Sequence, residues 1–233
     1  MAGESLLVCT ERSDAPLYEK ISSAMEPFGG EGTGEWATWW IGESGSEFIV
    51  KSGSEGDPRL LREFTNARGE LRDIPPHLCD GGPVGLLDLA AHRLRAAERA
   101  RERWTMWQGL VRQFPAARTL REFMDKDPEA TEIRPGKAWV RYRSQPLMTY
   151  VLARPELHQK VGDDAVATFG IGLDAYMARC SRRAFAVDSL LTVGGEWVDV
   201  GSLSTADEYY DFFSKSVETL EPDNGIAFLT YRC

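Results

Sequence analysis

Two apolar segments near opposite ends of this chain constrain its fold more than anything else: Ser5–Thr10 (SLLVCT) and Ile226–Arg232 (IAFLTYR). Each is short and bounded by turn-forming residues, which is the pattern of a buried strand. A strand must pair its backbone amides and carbonyls. Most of the residues between the two segments favour helix. The simplest packing therefore joins both in one mixed sheet with helices laid over it. That predicts an α+β fold, a single domain over residues 1–233.

The first helix is expected after Ser13 or Asp14 as cap, with Pro16 in its first turn. Leu17, Ile21 and Met25 share one face, and Pro27 with Gly29 and Gly30 ends it. From Trp36 the pattern turns extended: WATWWIG and SEFIVKSG read as two strands joined by a turn at Gly42, Glu43 and Ser44. Residues 51–83 are polar and rich in Gly and Pro, so they read as a long flexible loop with at most a short helix at Arg59–Asn66.

The strongest helical signal covers residues 86–114. Leu87, Ala90, Leu94, Ala97, Trp104, Trp107, Val111 and Phe114 recur every three or four positions. About 28 residues would reach ~42 Å at 1.5 Å per residue. This long helix, bearing arginines and tryptophans, is expected to lie across the sheet. Thr119 and Glu122 form a capping-box pattern for the next helix. Pro146 and Pro155 mark first-turn positions of two short helices, and Asp163 or Asp164 caps another. Gly194–Gly195 suits a two-residue hairpin turn. Ser204 with Asp207 opens a helix whose buried face is Tyr209, Phe212, Phe213 and Val217.

Several chemistries have no motif here. There is no P-loop, HExxH, CxxC, EF-hand or GxSxG pattern. His77, His92 and His158 are far apart, so none is expected to be a ligand or base. The chain carries a net charge of −9, which disfavours bulk nucleic-acid binding. Cys9, Cys79, Cys180 and Cys233 read as reduced thiols in a cytoplasmic protein. The acidic start before a very short apolar run is not expected to be a signal peptide, and no run approaches the length of a membrane span. The chain is expected to be soluble, and no cofactor or metal is predicted.

Three stretches retain a binding alternative. GGEGTG, Gly29–Gly34, follows a helix and precedes a strand, the reverse of a dinucleotide fingerprint, and so reads as a connector. Trp36 and Trp40 would share one strand face with Trp39 on the other, either as two-sided core or as a stacking surface. In IRPGKAWVRYRSQP, Arg134, Lys137, Arg141 and Arg143 interleave with Trp139 and Tyr142. Such spacing suits an anionic ligand or single-stranded nucleic acid, or a solvated edge whose aromatics point inward.

The segments WATWWIGESGSEF, YRSQP, GEWVDVG and LEPDNGIAFLTYR occur in the order that resembles an uncharacterised family of bacterial and bacteriophage proteins. That family carries a W-x-W-Y-x-I-G-G-R-W segment, a Y-H-x-Q-P step and a terminal G-x-W hairpin. Trp36, Ile41, Gly42 and Phe48 match its first segment, while Glu43 and Ser44 replace a glycine and an arginine. Arg143 stands where the second step has histidine. The resemblance implies this architecture and a candidate surface; it names no reaction.

The functional expectation is a non-catalytic, phage-related cytoplasmic accessory or protein-interaction protein of unspecified process. Its protein partner is unspecified, and no membrane is involved. The alternative is a module for a nucleotide-like or other anionic small molecule, and a further one is a single-strand nucleic-acid binder. The expected ligand or partner surface comprises Trp36, Trp39, Trp40, Gly42, Arg141, Tyr142, Arg143 and Gln145.

Overall fold

The computed structural model describes residues 4–28, 38–42, 47–62, 74–126 and 136–232. In chain order the elements are β1 (Glu4–Thr10), α1 (Leu17–Met25), β2 (Thr38–Ile41), β3 (Phe48–Ile49), β4 (Leu78–Cys79) and β5 (Gly81–Pro83). The helices α2 (Leu89–Val111), α3 (Leu120–Met124), α4 (Gly136–Arg143), α5 (Pro146–Leu152), α6 (Pro155–Val161), α7 (Ala165–Gly170) and α8 (Leu173–Arg182) follow. The chain closes with β6 (Ser189–Leu191), β7 (Trp197–Asp199), α9 (Ala206–Glu218) and β8 (Gly225–Arg232). Contacts divide the chain into two compact units, residues 1–94 with 182–233, and residues 95–181.

The first unit is α+β, and the two terminal strands are neighbours in its mixed sheet. The strand order is β2-β8-β1-β6-β7, with β5 also on β8. β1 and β8 run antiparallel over seven residue pairs, Glu4 opposite Tyr231 through Thr10 opposite Gly225. β6 adds to the other edge of β1 in parallel. Alternation along β1 sorts its side chains by face. Leu6 and Val8 join Leu17, Ile21 and Met25 of α1 together with Ala227 and Leu229. Leu7 and Cys9 join Tyr209, Phe213 and Val217 of α9 with Ile226 and Phe228. The sheet is thus covered on one face by α1 and on the other by α9. Each fully buried large side chain contributes about 1.5–3 kcal/mol of apolar burial.

The tryptophan segment does not fold back on the segment after it. β2 pairs with β8, Trp40 opposite Thr230, and β3 pairs with β4, Phe48 opposite Cys79. β8 has eight residues and an open edge opposite β1, long enough to receive β2 and β5 in tandem. Pairing there satisfies more backbone than a hairpin with the two-residue β3 would. Glu43 and Ser44, expected in the turn of that hairpin, lie outside the described residues.

Within 51–83 the described part carries defined structure. Leu61 bridges to Gly81, and both Leu60 and Leu61 are buried. Arg59–Arg62 is turn and bridge rather than helix, because the Leu61 amide donates to the Gly81 carbonyl at 2.8 Å. The rest of the helix expected at 59–66 lies outside the described residues. Arg62 donates to the carbonyls of Leu78 (3.0 Å), Glu55 and Pro76, and so holds this loop against β4.

Other local expectations shift by small amounts. α1 has Pro16 at its N-cap and no side-chain cap, so neither Ser13 nor Asp14 serves. The β6–β7 turn has three residues, because the Thr192 amide donates to the Glu196 carbonyl, and only its last residue, Gly195, takes a positive φ of 79°. That is the wider hairpin with a left-handed final residue. α9 is capped by Thr205, with Glu208 completing the box, one residue later than the pattern at Ser204 suggests.

The second unit is helical. α2 covers 23 residues, shorter than its periodic pattern, and its Ala100, Trp107 and Leu110 are buried with Tyr142, Leu147, Met148, Val151 and Phe169. Its tryptophan-bearing stretch therefore belongs to this helical core. Leu94, expected on the apolar face, is 61% exposed. Trp107 stacks on Phe169 at 5.1 Å. Thr119 and Glu122 make the full capping box of α3, and Pro146 and Pro155 open α5 and α6. Asp163 does not cap; its carboxylate lies 2.9 Å from His158 Nε2, and Asp164 takes the N-cap position of α7.

Two glycines give opposite expectations. A Cβ on Gly81 would stand 2.5 Å from the Ile226 carbonyl, a strand backbone that has nowhere to move. Gly81→Ala should lower unfolding stability by about 1–3 kcal/mol or more. Gly109 lies inside α2 with open space at its Cβ. Gly109→Ala should raise stability by about 0.5–1 kcal/mol. Urea denaturation of the two variants checks both signs.

Candidate functional site

The carboxyl end of β1 is placed by its register with β8. The last ladder pair is Thr10 opposite Gly225. Gly225 is required there: an added Cβ would meet Leu17 Cδ1 at 2.4 Å and Thr10 Oγ1 at 2.6 Å. The turn before β8 is closed by Asn224, whose Oδ1 accepts from the Glu221 amide at 2.6 Å and whose Nδ2 donates to the Thr10 carbonyl at 3.3 Å. Two residues beyond the ladder, continuing the same register brings Arg12 to Asp223, with Nη1 and Oδ2 3.4 Å apart.

A cleft of about 560 Å³ opens at this end of the sheet. The loop from β1 to α1, the first turn of α1, Asp223 with Gly225, and the Pro58–Leu61 stretch line it. Arg59 lies on its wall and grips Asp57 with Nε and Nη2 at 3.0 and 2.9 Å. The Arg59 side chain and backbone amide hold the Asp57 carboxyl below its usual range. Lys20 reaches back to the carbonyls of Glu11 and Ser13, each at 3.2 Å, and shapes the loop rather than offering its charge. Both guanidinium side chains stay more than half exposed. Tyr18 is 49% exposed, with its ring 6.1 Å from that of Trp39.

α1 contributes through what its start lacks. The first amides of a helix have no intrahelical acceptor and carry part of the helix dipole. Here the N-cap is a proline and no side chain caps the turn, while Pro16, Leu17 and Tyr18 themselves line the cleft. Arg12 and Arg59 line or border the cleft with each guanidinium set against a carboxylate, Asp14 and Asp223 also line it, and α1 begins there without a side-chain cap. A carboxylate or phosphate would compete with these carboxylates for the guanidiniums.

The residues singled out from sequence fall in different units. In the first, Trp39 is partly buried beside the α1 face of the sheet with Ile41. Trp40 points from the opposite face of β2 by strand alternation and is partly buried. Gly42 follows β2 with φ 78°, and its carbonyl accepts from Thr230 Oγ1 at 2.8 Å, so it ends the strand. Trp36 lies outside the described residues. Arg12, Tyr18 and Arg59 were not legible as site residues, because only the β1–β8 register and the fold of the 57–61 loop bring them to one cleft.

In the second unit, Tyr142 is buried in the helical core, where its hydroxyl accepts from the Val166 amide at 3.4 Å and burial raises its pKa. It offers no surface ring. Gln145 is not a ligand amide. Its Oε1 accepts from the Arg118 amide at 2.6 Å, and its Nε2 donates to the carbonyls of Arg118 at 2.9 Å and Tyr142 at 3.1 Å. The side chain copies a backbone pairing and pins the residue before the α3 cap onto the α4–α5 junction. Arg141 and Arg143 are exposed, and Arg143 lies over the Trp139 ring at 5.8 Å. Arg134 lies outside the described residues.

His92, Cys9 and Cys79 have structural roles. His92 Nε2 accepts from the Ile49 amide at 2.6 Å, which places its proton on Nδ1 and orients the ring between Phe48 and Phe185. Burial pushes the thiols of Cys9 and Cys79 up to about 12, leaving them protonated and poorly nucleophilic. Among the described residues no group of three His, Cys, Asp or Glu side chains could hold a metal ion. None of the described helices is long and apolar enough to cross a membrane. No protein-family model, curated protein or solved structure matches this chain.

Three outcomes test these assignments. Gln145→Ala should destabilise the protein by about 0.5–1.5 kcal/mol, the range for losing hydrogen bonds whose partners water can still reach, as read from thermal or urea unfolding. With a thiol reagent at mild alkaline pH, Cys180, which is partly exposed, should react well before Cys9 or Cys79, as peptide mapping of the labelled protein would reveal. Burial raises the Asp164 carboxyl above its ordinary value, so the fold favours its protonated form. The contribution of this group is therefore present at low pH and lost as pH rises through the carboxylate range. Asp164→Asn, which keeps a good N-cap residue, should flatten that part of the stability–pH curve.

Proposed function

We propose that the protein is a non-catalytic binding protein that holds a small anionic molecule in the cleft at the carboxyl end of β1. The observation that carries this reading is a 560 Å³ cleft walled by the start of α1 and by two guanidiniums that are each more than half exposed. That volume lies within the range of small-molecule sites, roughly 300–1,000 Å³. Exposed ion pairs such as Arg12–Asp223 are worth little, about 0–1 kcal/mol, so an incoming carboxylate or phosphate can take over the guanidinium at small penalty. Tyr18, half-exposed on the rim, supplies an apolar face for the rest of the ligand.

Binding rather than turnover is the reading because each histidine with a described contact serves the fold, and the buried thiols are held protonated. Inorganic pyrophosphate and citrate are suitable probes for calorimetry and thermal shift. At least one should raise the melting temperature and give a saturable heat. Arg12→Ala and Arg59→Ala should each weaken binding by a few-fold, in line with about 0–1 kcal/mol for an exposed ion pair, and the double variant by more than either. Absence of binding by both probes and by a panel of nucleotides and dicarboxylates, or affinity unchanged in the double variant, would remove the proposal.

A further inference from the structure

The charge of this chain is unevenly distributed. Residues 95–181, the helical unit, hold fifteen Lys and Arg against eleven Asp and Glu, a net charge of +4. The other unit holds twelve against twenty-five, a net charge of −13. A basic unit inside an acidic chain carries a local field that the overall balance conceals.

Within that unit α4 concentrates the asymmetry. Its sequence, GKAWVRYR, has no acid. Ala138 and Tyr142 face the core. At about 100° per residue the opposite arc centres on Val140, with Lys137 and Arg141 to one side and Arg143 to the other. Val140 is 68% exposed, the most exposed of the large apolar side chains in the described residues, and Lys137, Arg141 and Arg143 are exposed around it. The adjoining α3 segment adds Arg118 and Lys126, both exposed. The acids on α3 are already engaged: Asp125 with Arg121 at 3.0 Å, and Glu122 with the Thr119 amide at 2.7 Å in the capping box. The Gln145 clamp fixes the Arg118 backbone against the α4–α5 junction, which keeps that residue close to α4.

We propose that the outward face of α4 docks an acidic protein segment that bears an apolar residue, its carboxylates meeting Lys137, Arg141 and Arg143 and its apolar side chain covering Val140. The same face suits single-stranded nucleic acid less well. Strand binding needs open aromatic faces for base stacking. Tyr142 is buried, Arg143 lies over Trp139, and Arg154 lies over Tyr150 at 3.6 Å. What remains open is a branched aliphatic side chain among cations, and this matches an acidic amphipathic peptide.

The test uses the full chain and fluorescence anisotropy at low salt. The probes are a labelled peptide of repeated Glu-Glu-Leu-Glu, an all-glutamate peptide of equal length, and a single-stranded oligonucleotide. The leucine-bearing peptide should bind most tightly and weaken as salt rises. Lys137→Glu with Arg141→Glu should weaken it by roughly tenfold or more, and Val140→Asp should remove its advantage over the all-glutamate peptide. All of these positions are exposed, and matching melting curves would establish that the variants fold. Arg12→Ala, in the cleft of the other unit, should leave peptide binding unchanged. Failure of the leucine-bearing peptide to bind, affinity unmoved by both α4 variants, or tighter binding of the oligonucleotide would each overturn the proposal.

Discussion

The antiparallel pairing of β1 with β8 is the interaction on which the first unit depends. It joins residues more than 200 positions apart, and the other strands of that sheet lie to one side or the other of the pair. Such closure is entropically unfavourable, and seven paired residues with both faces buried offset it. Once formed, the pair fixes everything around it. β6 and then β7 extend one side, and β2 and β5 share the other. Alternation along the two strands decides which side chains meet α1 and which meet α9. The strict register leaves little freedom, since a slip of one residue would turn Leu7, Cys9 and Phe228 to the wrong face.

The same register creates the cleft. Beyond the last ladder pair the two chains diverge into the β1–α1 loop and the turn at 221–224, and each carries a charged residue into the gap. Asn224 ties the turn to the Thr10 carbonyl, and Gly225 allows Leu17 to approach the sheet. Fold and candidate site therefore rest on the same few contacts. A site placed at the end of a central strand inherits the rigidity of that strand, whereas its walls come from loops that can vary.

Local features with a local cause were legible in the sequence. The terminal strands, the apolar face of α1, the proline starts of α5 and α6, and the Thr119–Glu122 box each depend on residues within a few positions of one another. Features that depend on distant partners were not. Trp39 and Trp40 lie in a strand as their spacing implies, but the partner of that strand is β8 rather than the segment that follows. Gln145 was expected in the ligand surface with Arg141 and Arg143, yet its amide is occupied by the backbone of Arg118, twenty-seven residues earlier. Arg12 and Arg59 carried no motif at all.

By itself the sequence determined the α+β class, the burial of both terminal strands and the starts of α3, α5, α6 and α7, because hydrophobic period, capping side chains and proline act over a turn or a strand length. It also determined the net charge and its uneven distribution along the chain. Only the tertiary structure decided which strands pair, which aromatics are core and which polar side chains are already spent on backbone. Those outcomes are settled by competition among distant partners for the same strand edges and the same hydrogen bonds, and no window of the sequence contains both competitors.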